Sequence, residues 1–262
     1  MVIKKHWKTL SVVATESLHD QGLALIGNYT LRLLRVVFLI SLWHTLLPKE
    51  GEVSGMTRDA VLTYTLIAEV FSGFISVRTG LDNALWRGDI ANRLLRPVGI
   101  YGQFMAEMLG NRMPNLLLFS LPLFCLAPLF NINPLPTSPI TGALFILSLA
   151  LGILIGTAFD FIFASLLVFL EQSVYALMQI RDAVSVLLSG AIIPLALLPW
   201  GLGQVLTYLP FASVASAPLR IYTNTGDPLF LLSLQIAWTL VLWPIAHALW
   251  NFNRERLVSH GG

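Results

Sequence analysis

Six long apolar stretches separated by short polar intervals set the pattern of this chain: roughly 28–47, 59–77, 100–130, 139–170, 182–199 and 229–250. A helix needs about 20 apolar residues to cross the hydrocarbon of a bilayer, where unpaired backbone groups are too costly. Each stretch therefore predicts a transmembrane helix, and little of residues 1–262 is left for a soluble domain. The fold class expected is an all-α membrane protein with six spans in one domain. The first 22 residues differ. Ile3, Trp7, Leu10, Ala14 and Leu18 recur at helical spacing beside Lys4, Lys5 and Lys8. Glu16, His19 and Asp20 cut the apolar run too short for a cleaved signal. Residues 1–22 thus predict an amphipathic helix lying on the membrane surface, its lysines toward anionic headgroups.

Two interruptions stand out. Between the second and third stretches, residues 78–97 read Arg-Thr-Gly-Leu-Asp-Asn-Ala-Leu-Trp-Arg-Gly-Asp-Ile-Ala-Asn-Arg-Leu-Leu-Arg-Pro, too charged for lipid and too short for a domain. Leu81, Leu85, Gly88, Asn92 and Leu95 follow one helical face, and Arg87, Asp89 and Arg93 point elsewhere. Pro97 disfavours helix at Arg96 and ends the element. This predicts a short amphipathic helix across the membrane face, either a plain connector or a surface offered to a partner. Between the fifth and sixth stretches, residues 200–222 are apolar but broken by Gly201, Gly203, Pro210 and Pro218. They predict two short helices that re-enter the membrane as a hairpin, covered by protein or lining a wet cavity. Pro114 and Pro122 predict a kinked or broken third span. Gly102-x-x-x-Ala106-x-x-x-Gly110 and Gly152-x-x-x-Gly156 predict close helix packing.

Composition agrees: 56% of the residues are hydrophobic and 11% charged, with mean hydropathy +0.75, against roughly 25% charged in soluble domains. The net charge of +2 is spread over membrane edges and excludes a nucleic-acid-binding surface. With the N-terminus inside, Lys4, Lys5, Lys8, Arg78, Arg87, Arg93, Arg96, Arg181, Arg254 and Arg256 fall on the cytoplasmic side. Lys49, Arg58 and Arg220 fall outside, and ten against three satisfies the positive-inside rule with both termini cytoplasmic. Trp43 and Trp200 then mark the outer boundary and Trp250 the inner one. Arg32 and Arg35 sit near the inner end of the first span, from which long side chains can snorkel.

Several chemistries are missing. None of the four lysines follows a glycine, so there is no Gly-Lys-Ser/Thr loop to cradle phosphates. The five histidines form no His-Glu-x-x-His, and the single Cys125 excludes both a disulfide within the chain and a zinc cluster. No catalytic, cofactor or metal site is expected on this chain. What remains are the ionisable residues within apolar stretches: Glu69, Glu107, Arg112 and Asp160. Each costs about 2.5–3.5 kcal/mol or more near mid-bilayer and needs water or a partner. They either line a translocation path or form structural pairs, such as Arg112 with Asp160 or Glu107.

Three passages resemble the six-helix permeases of ABC-2 type exporters: Gly88-Asp-Ile-Ala-Asn-Arg-Leu-Leu-Arg-Pro97, Leu188-Ser-Gly-Ala-Ile-Ile-Pro-Leu-Ala-Leu-Leu-Pro199, and Leu209-Pro-Phe-Ala-Ser213 with Pro218 and Ile221-Tyr222. With the span count, the resemblance covers nearly the whole chain. It implies a permease in a bacterial cytoplasmic (inner) membrane, paired with an identical or related permease and with two cytoplasmic ATPase subunits that bind ATP and Mg²⁺. It also implies that residues 78–97 form a coupling helix in which Trp86, Arg87, Asp89, Arg93 and Arg96 contact the ATPase. A secondary transporter working without an ATPase is the alternative; inverted repeats and discontinuous helices would favour it, and while no repeat is evident between 28–130 and 139–250, the prolines of the third stretch keep that alternative open.

Overall fold

Helices dominate the chain because its apolar stretches leave the backbone no other partner in lipid. A computed structural model describes residues 8–9, 11–13, 15–16, 22–170 and 174–259. The expected surface helix over 1–22 falls largely outside these. Its described residues are helical, with Ser11 Oγ donating to the Lys8 carbonyl at 3.0 Å.

The first long helix, α1, runs Gly22–Leu46 and stops before Pro48. A two-residue hairpin, Glu52–Val53 with Met56–Thr57, follows; Ser54 (φ 53°) and Gly55 (φ 77°) take the left-handed conformations of its tight turn. Thr57 caps α2 (Arg58–Val70) by accepting from the Ala60 amide at 3.2 Å. At Phe71 the helix breaks, resuming as the single turn α3, Ser72–Ile75.

Residues 78–97 form two short helices rather than the expected one: α4 (Leu81–Trp86), entered from left-handed Gly80, and α5 (Ile90–Leu94). Gly88, at φ 72°, makes the turn between them. That turn splits the predicted face. Leu81, Ala84 and Ile90 are buried, whereas Asn92 is exposed and Leu95 is 84% exposed.

The third stretch continues through both prolines as α6 (Ile100–Asn115), a π-helical turn (Leu116–Ser120), α7 (Leu121–Leu126) and a 3₁₀ turn (Ala127–Phe130). The wider π turn lies between Pro114 and Pro122, where the ring of each proline removes a regular backbone bond. The break predicted there is a local re-winding. Next come α8 (Pro139–Leu170) and α9 (Val174–Ser189). The latter starts and ends earlier than the predicted 182–199, because Gly190 turns left-handed (φ 73°) and Pro194 follows. The hairpin contains three short helices rather than the expected two, α10 (Leu202–Thr207), α11 (Pro210–Val214) and α12 (Ser216–Tyr222), and α13 (Pro228–Ser259) closes the described residues.

Four of these helices are long and apolar enough to cross a membrane: Tyr29–Leu46, Ile100–Phe130, Pro139–Leu166 and Pro228–Asn253. The other two stretches are shorter. The 16 residues of α9 rise about 24 Å, less than a hydrocarbon core of roughly 30 Å. By contrast α8 and α13, at 32 residues each, reach about 48 Å, longer than a hydrocarbon core of roughly 30 Å.

These two long helices pack along their length. Gln235 on α13 donates to the carbonyls of Ser148 (3.0 Å) and Ser213 (2.7 Å), and Asn253 donates to the Ser165 carbonyl at 2.8 Å. The predicted glycine pair of α8 is a contact face. A Cβ on Gly152 would come within 2.7 Å of the Val214 carbonyl oxygen, and one on Gly156 within 2.6 Å of Val77. The hairpin is therefore seated deep in the bundle, with Ala215, Leu219 and Ile221 fully buried. Trp43 and Trp250, expected as interfacial anchors, are core residues at 6% and 2% exposure, while Trp200 is 91% exposed.

Candidate functional site

Polar groups deep in this bundle collect in three places. The first lies at the break in the second stretch. Arg32 on α1 turns inward instead of snorkelling. Its Nε donates to Glu69 Oε1 (2.9 Å), and its Nη2 donates to the Glu69 carbonyl (2.9 Å) and Ser72 Oγ (2.5 Å). Its Nη1 donates to Asn115 Oδ1 at 2.5 Å, and the guanidinium stacks 4.2 Å from the Phe119 ring centroid. One arginine thus ties α1, the α2–α3 break and the π turn together. Arg35 reaches Glu69 only at 3.8 Å, and its side chain is 48% exposed. Arg112 lays its stem against Gly73 on the other side of the break, where a Cβ would meet its Cδ at 3.2 Å. Among the described residues it forms no ion pair with Asp160 or Glu107, the partners considered from sequence.

The second place is a buried ion pair between α8 and α9. Arg181 Nη1 lies 2.6 Å from Asp160 Oδ1, too poorly aligned for a hydrogen bond, with side-chain exposures of 5% and 3%. Asp160 Oδ2 accepts from the Thr79 amide at 2.6 Å and from the Thr79 hydroxyl. Arg181 Nη2 donates to the Val77 carbonyl at 2.8 Å. The start of segment 78–97 is therefore bolted to α8 and α9 by charge-assisted bonds in a dry site. Arg181, counted from sequence as a flanking surface charge, is a core residue. Next to it Arg78 pairs with Asp182 at 2.5 Å, both more exposed.

The third place holds the far end of segment 78–97. Arg93 makes two 2.7 Å bonds to the Glu107 carboxylate and stacks 4.5 Å from the Phe104 centroid. Gln103 Nε2 donates to the carbonyls of Arg93 (3.1 Å) and Val98 (2.6 Å), and Arg96 reaches Glu107 at 3.7 Å. A recess of about 640 Å³ beside this cluster is bordered by Lys8, Val12 and Glu16 from the N-terminal segment.

Of the residues singled out by sequence, Arg93 is thus a structural anchor. Arg87 and Asp89 are exposed, and Arg96 is 54% exposed. Trp86 ends α4, and its side chain lies outside the described residues. The candidate path residues separate too. Glu69 lines a cavity of about 430 Å³ between α1, the α2–α3 break, α8, α9 and the hairpin. Asp160 stands behind Arg181 at its wall, whereas Glu107 borders the other recess and Arg112 lines neither.

Sequence reasoning missed Arg35, Arg78, Arg181 and Asp182 as cavity residues. Placing α9 eight residues too late pushed Arg181 and Asp182 to a supposed membrane edge. Among the described residues, no group of three or more His, Cys, Asp or Glu side chains is placed to hold a metal ion.

The family described as ABC-2 family transporter protein matches residues 33–261. The chain belongs to that family. It is a multi-pass membrane protein, the permease component of an ABC transporter, and permeases of the ABC-2 family work in general with ATP-binding cassette subunits. Among curated proteins none matches the sequence.

Proposed function

We propose that this ABC-2 permease is the transmembrane half of an ATP-driven exporter in a bacterial cytoplasmic membrane, driven by separate ATPase subunits seated on segment 78–97. Both termini face the cytoplasm. Six crossings are completed by α2–α3 and by α9 with the hairpin, which re-enters from the outside. The chain pairs with an identical or related permease. It hydrolyses nothing itself; ATP and Mg²⁺ bind the partner ATPase.

The observation that supports this reading is the way segment 78–97 is mounted. Thr79, in a buried contact, and Arg93, in a partly buried one, fix the segment near its two ends, yet Arg87, Asp89 and Asn92 between them, and Leu95 just beyond, are exposed. A connector needs no such rigid mounting, and an exposed leucine flanked by charges makes a docking knob. Displacing the segment displaces α8 and α9 with it, which lets differential ATPase contact shift the spans between states.

The test is affinity purification of the tagged chain from its native membrane with mass spectrometry of co-purifying proteins. A Walker-type ATPase is expected, and a second permease in the sample would make the assembly a heterodimer. Burial of one leucine is worth about 1.5–3 kcal/mol. Leu95→Asp should therefore cut ATPase recovery at least tenfold at unchanged membrane level. Full recovery in that variant, or a chain that purifies alone, overturns the reading.

A further inference from the structure

The 430 Å³ cavity lies in the size range of small-molecule sites, and its lining is sorted by polarity along the bundle. At the end nearer segment 78–97 stand Arg35, Glu69, Arg78, Arg181 and Asp182. At the hairpin end stand Leu39, Val186, Ile192, Phe211 and Val214. The sorting follows from chain direction. On α1, Arg35 precedes Leu39 by one turn, and on α9, Arg181 and Asp182 precede Val186 by about one turn. Both helices run the same way, so both turn their cations to one end and their apolar residues to the other. Phe159 and Phe211 stack at 4.6 Å and 6°, giving the apolar half a flat aromatic wall.

The charges do not cancel. The ion pairs bordering the cavity bring four arginines (32, 35, 78 and 181) to three carboxylates (Glu69, Asp160 and Asp182). Arg78 with Asp182 and Arg181 with Asp160 are one-to-one pairs, and Arg32 satisfies Glu69. Arg35 is left over, near the shared carboxylate but without a hydrogen bond to it. Arg112 and Asp82, two further charges that act on these pairs, lie outside the lining and are opposite in sign. One uncompensated guanidinium at the polar end of an apolar-walled cavity matches one anionic head on an apolar body.

We propose that this cavity binds an amphiphile carrying a single acidic group, carboxylate or phosphate, with the acid on Arg35 and the apolar body against Leu39, Ile192 and Phe211. The proposal rests on the transporter reading and names the chemical class of its cargo. An anionic membrane lipid and a free amphipathic acid share this chemistry.

The test is photolabelling of the purified full chain in phosphatidylcholine nanodiscs. The probe is palmitic acid carrying a mid-chain diazirine, the control is the same chain ending in an alcohol, and labelled peptides are mapped by mass spectrometry. The acid should label peptides containing Leu39, Ile192 and Phe211 at least fivefold more than the alcohol. Arg35→Gln should erase that excess, Arg35→Lys should keep most of it, and Lys49→Gln, in the exposed loop after α1, should leave it unchanged. Unaltered alcohol labelling in Arg35→Gln serves as the check that the variant is folded.

Suppression of the acid signal by phosphatidylglycerol in the disc assigns the site to lipid. Suppression only by soluble decanoate assigns it to a free acid. Equal labelling by acid and alcohol, labelling spread over the lipid-facing surface, or an Arg35→Gln variant that labels normally overturns the proposal. Because no ATPase is present, these outcomes are independent of ATPase co-purification, and either reading can fail alone.

Discussion

Removing Arg181 should be among the most damaging single changes this chain can suffer, while removing its ion pair altogether should be far milder. Both partners are nearly water-free, at 5% and 3% side-chain exposure, so Arg181→Gln leaves Asp160 without its counter-charge in a dry site. Stranding one member of such a pair costs about 3–5 kcal/mol. The two Thr79 donors soften this for Asp160, since they hydrogen-bond its other oxygen. Asp160→Asn strands Arg181 instead, with only the Val77 carbonyl left to it. Its cost should sit at the upper end of that range, about 4–5 kcal/mol. The double variant Asp160→Asn/Arg181→Gln has no charge to strand and should recover at least half of the larger single loss. The coupling between the sites should be about 2 kcal/mol or more. Unfolding of the purified chain in mixed micelles with rising SDS, for the four members of the cycle, measures it. Single variants within about 1 kcal/mol of the parent, or losses that simply add, would show that the pair is hydrated and no structural bolt.

Three further changes probe other parts of the same framework. Gly156→Ala puts a methyl where Val77 already lies at 2.6 Å; overpacking of this kind costs about 1–3 kcal/mol, read by the same SDS unfolding, and an unchanged midpoint would mean that segment 77–80 floats. Glu107→Gln removes the charge that holds Arg93 and Arg96; trypsin should then cut after Arg93 at least several-fold faster, and equal rates would put the anchor elsewhere. Arg32→Lys keeps the charge but loses the fork that engages Glu69, Asn115 and Ser72 together. It should still cost about 1.5–3 kcal/mol, the value of a hydrogen bond to a charged group, and full stability in the lysine variant would show that charge alone matters there.

What the sequence made legible follows from the physics it records locally. The apolar lengths fixed the helical class, the glycines at 152 and 156 announced a close contact, and the prolines at 210 and 218 with the glycines at 201 and 203 announced a broken hairpin. Each of these is a constraint of the backbone on itself. The partners of the buried charges were not legible, because pairing depends on which helices are neighbours. Pairing of Arg112 with Asp160 or Glu107 was one of two readings open from sequence, beside a polar translocation path. Instead, Asp160 faces α9 and takes Arg181, and Glu107 faces back along its own chain to Arg93.

The helical face drawn through Leu81 and Leu95 failed for a related reason. One left-handed glycine at 88 reorients everything beyond it, and its effect on direction cannot be seen in a periodicity that assumes an unbroken helix.

These misplacements have a common consequence for how the molecule works. A segment 78–97 held mainly by an ATPase partner would sit loosely on its own bundle. With Arg93 and Thr79 both committed inward, the segment is instead a rigid extension of the bundle. Its two mounts sit on different elements: α6 through Glu107, and α8 with α9 through Asp160 and Arg181. A push on the exposed Arg87–Leu95 face is therefore divided between the third stretch and the walls of the charged cavity. Arg181 is where the second branch meets the cavity, since it touches the Val77 carbonyl, Asp160 and the cavity lining at once. A permease needs such a shared residue if engagement outside the membrane is to change a site within it, and no other described arginine bonded to segment 77–97 is so deeply buried.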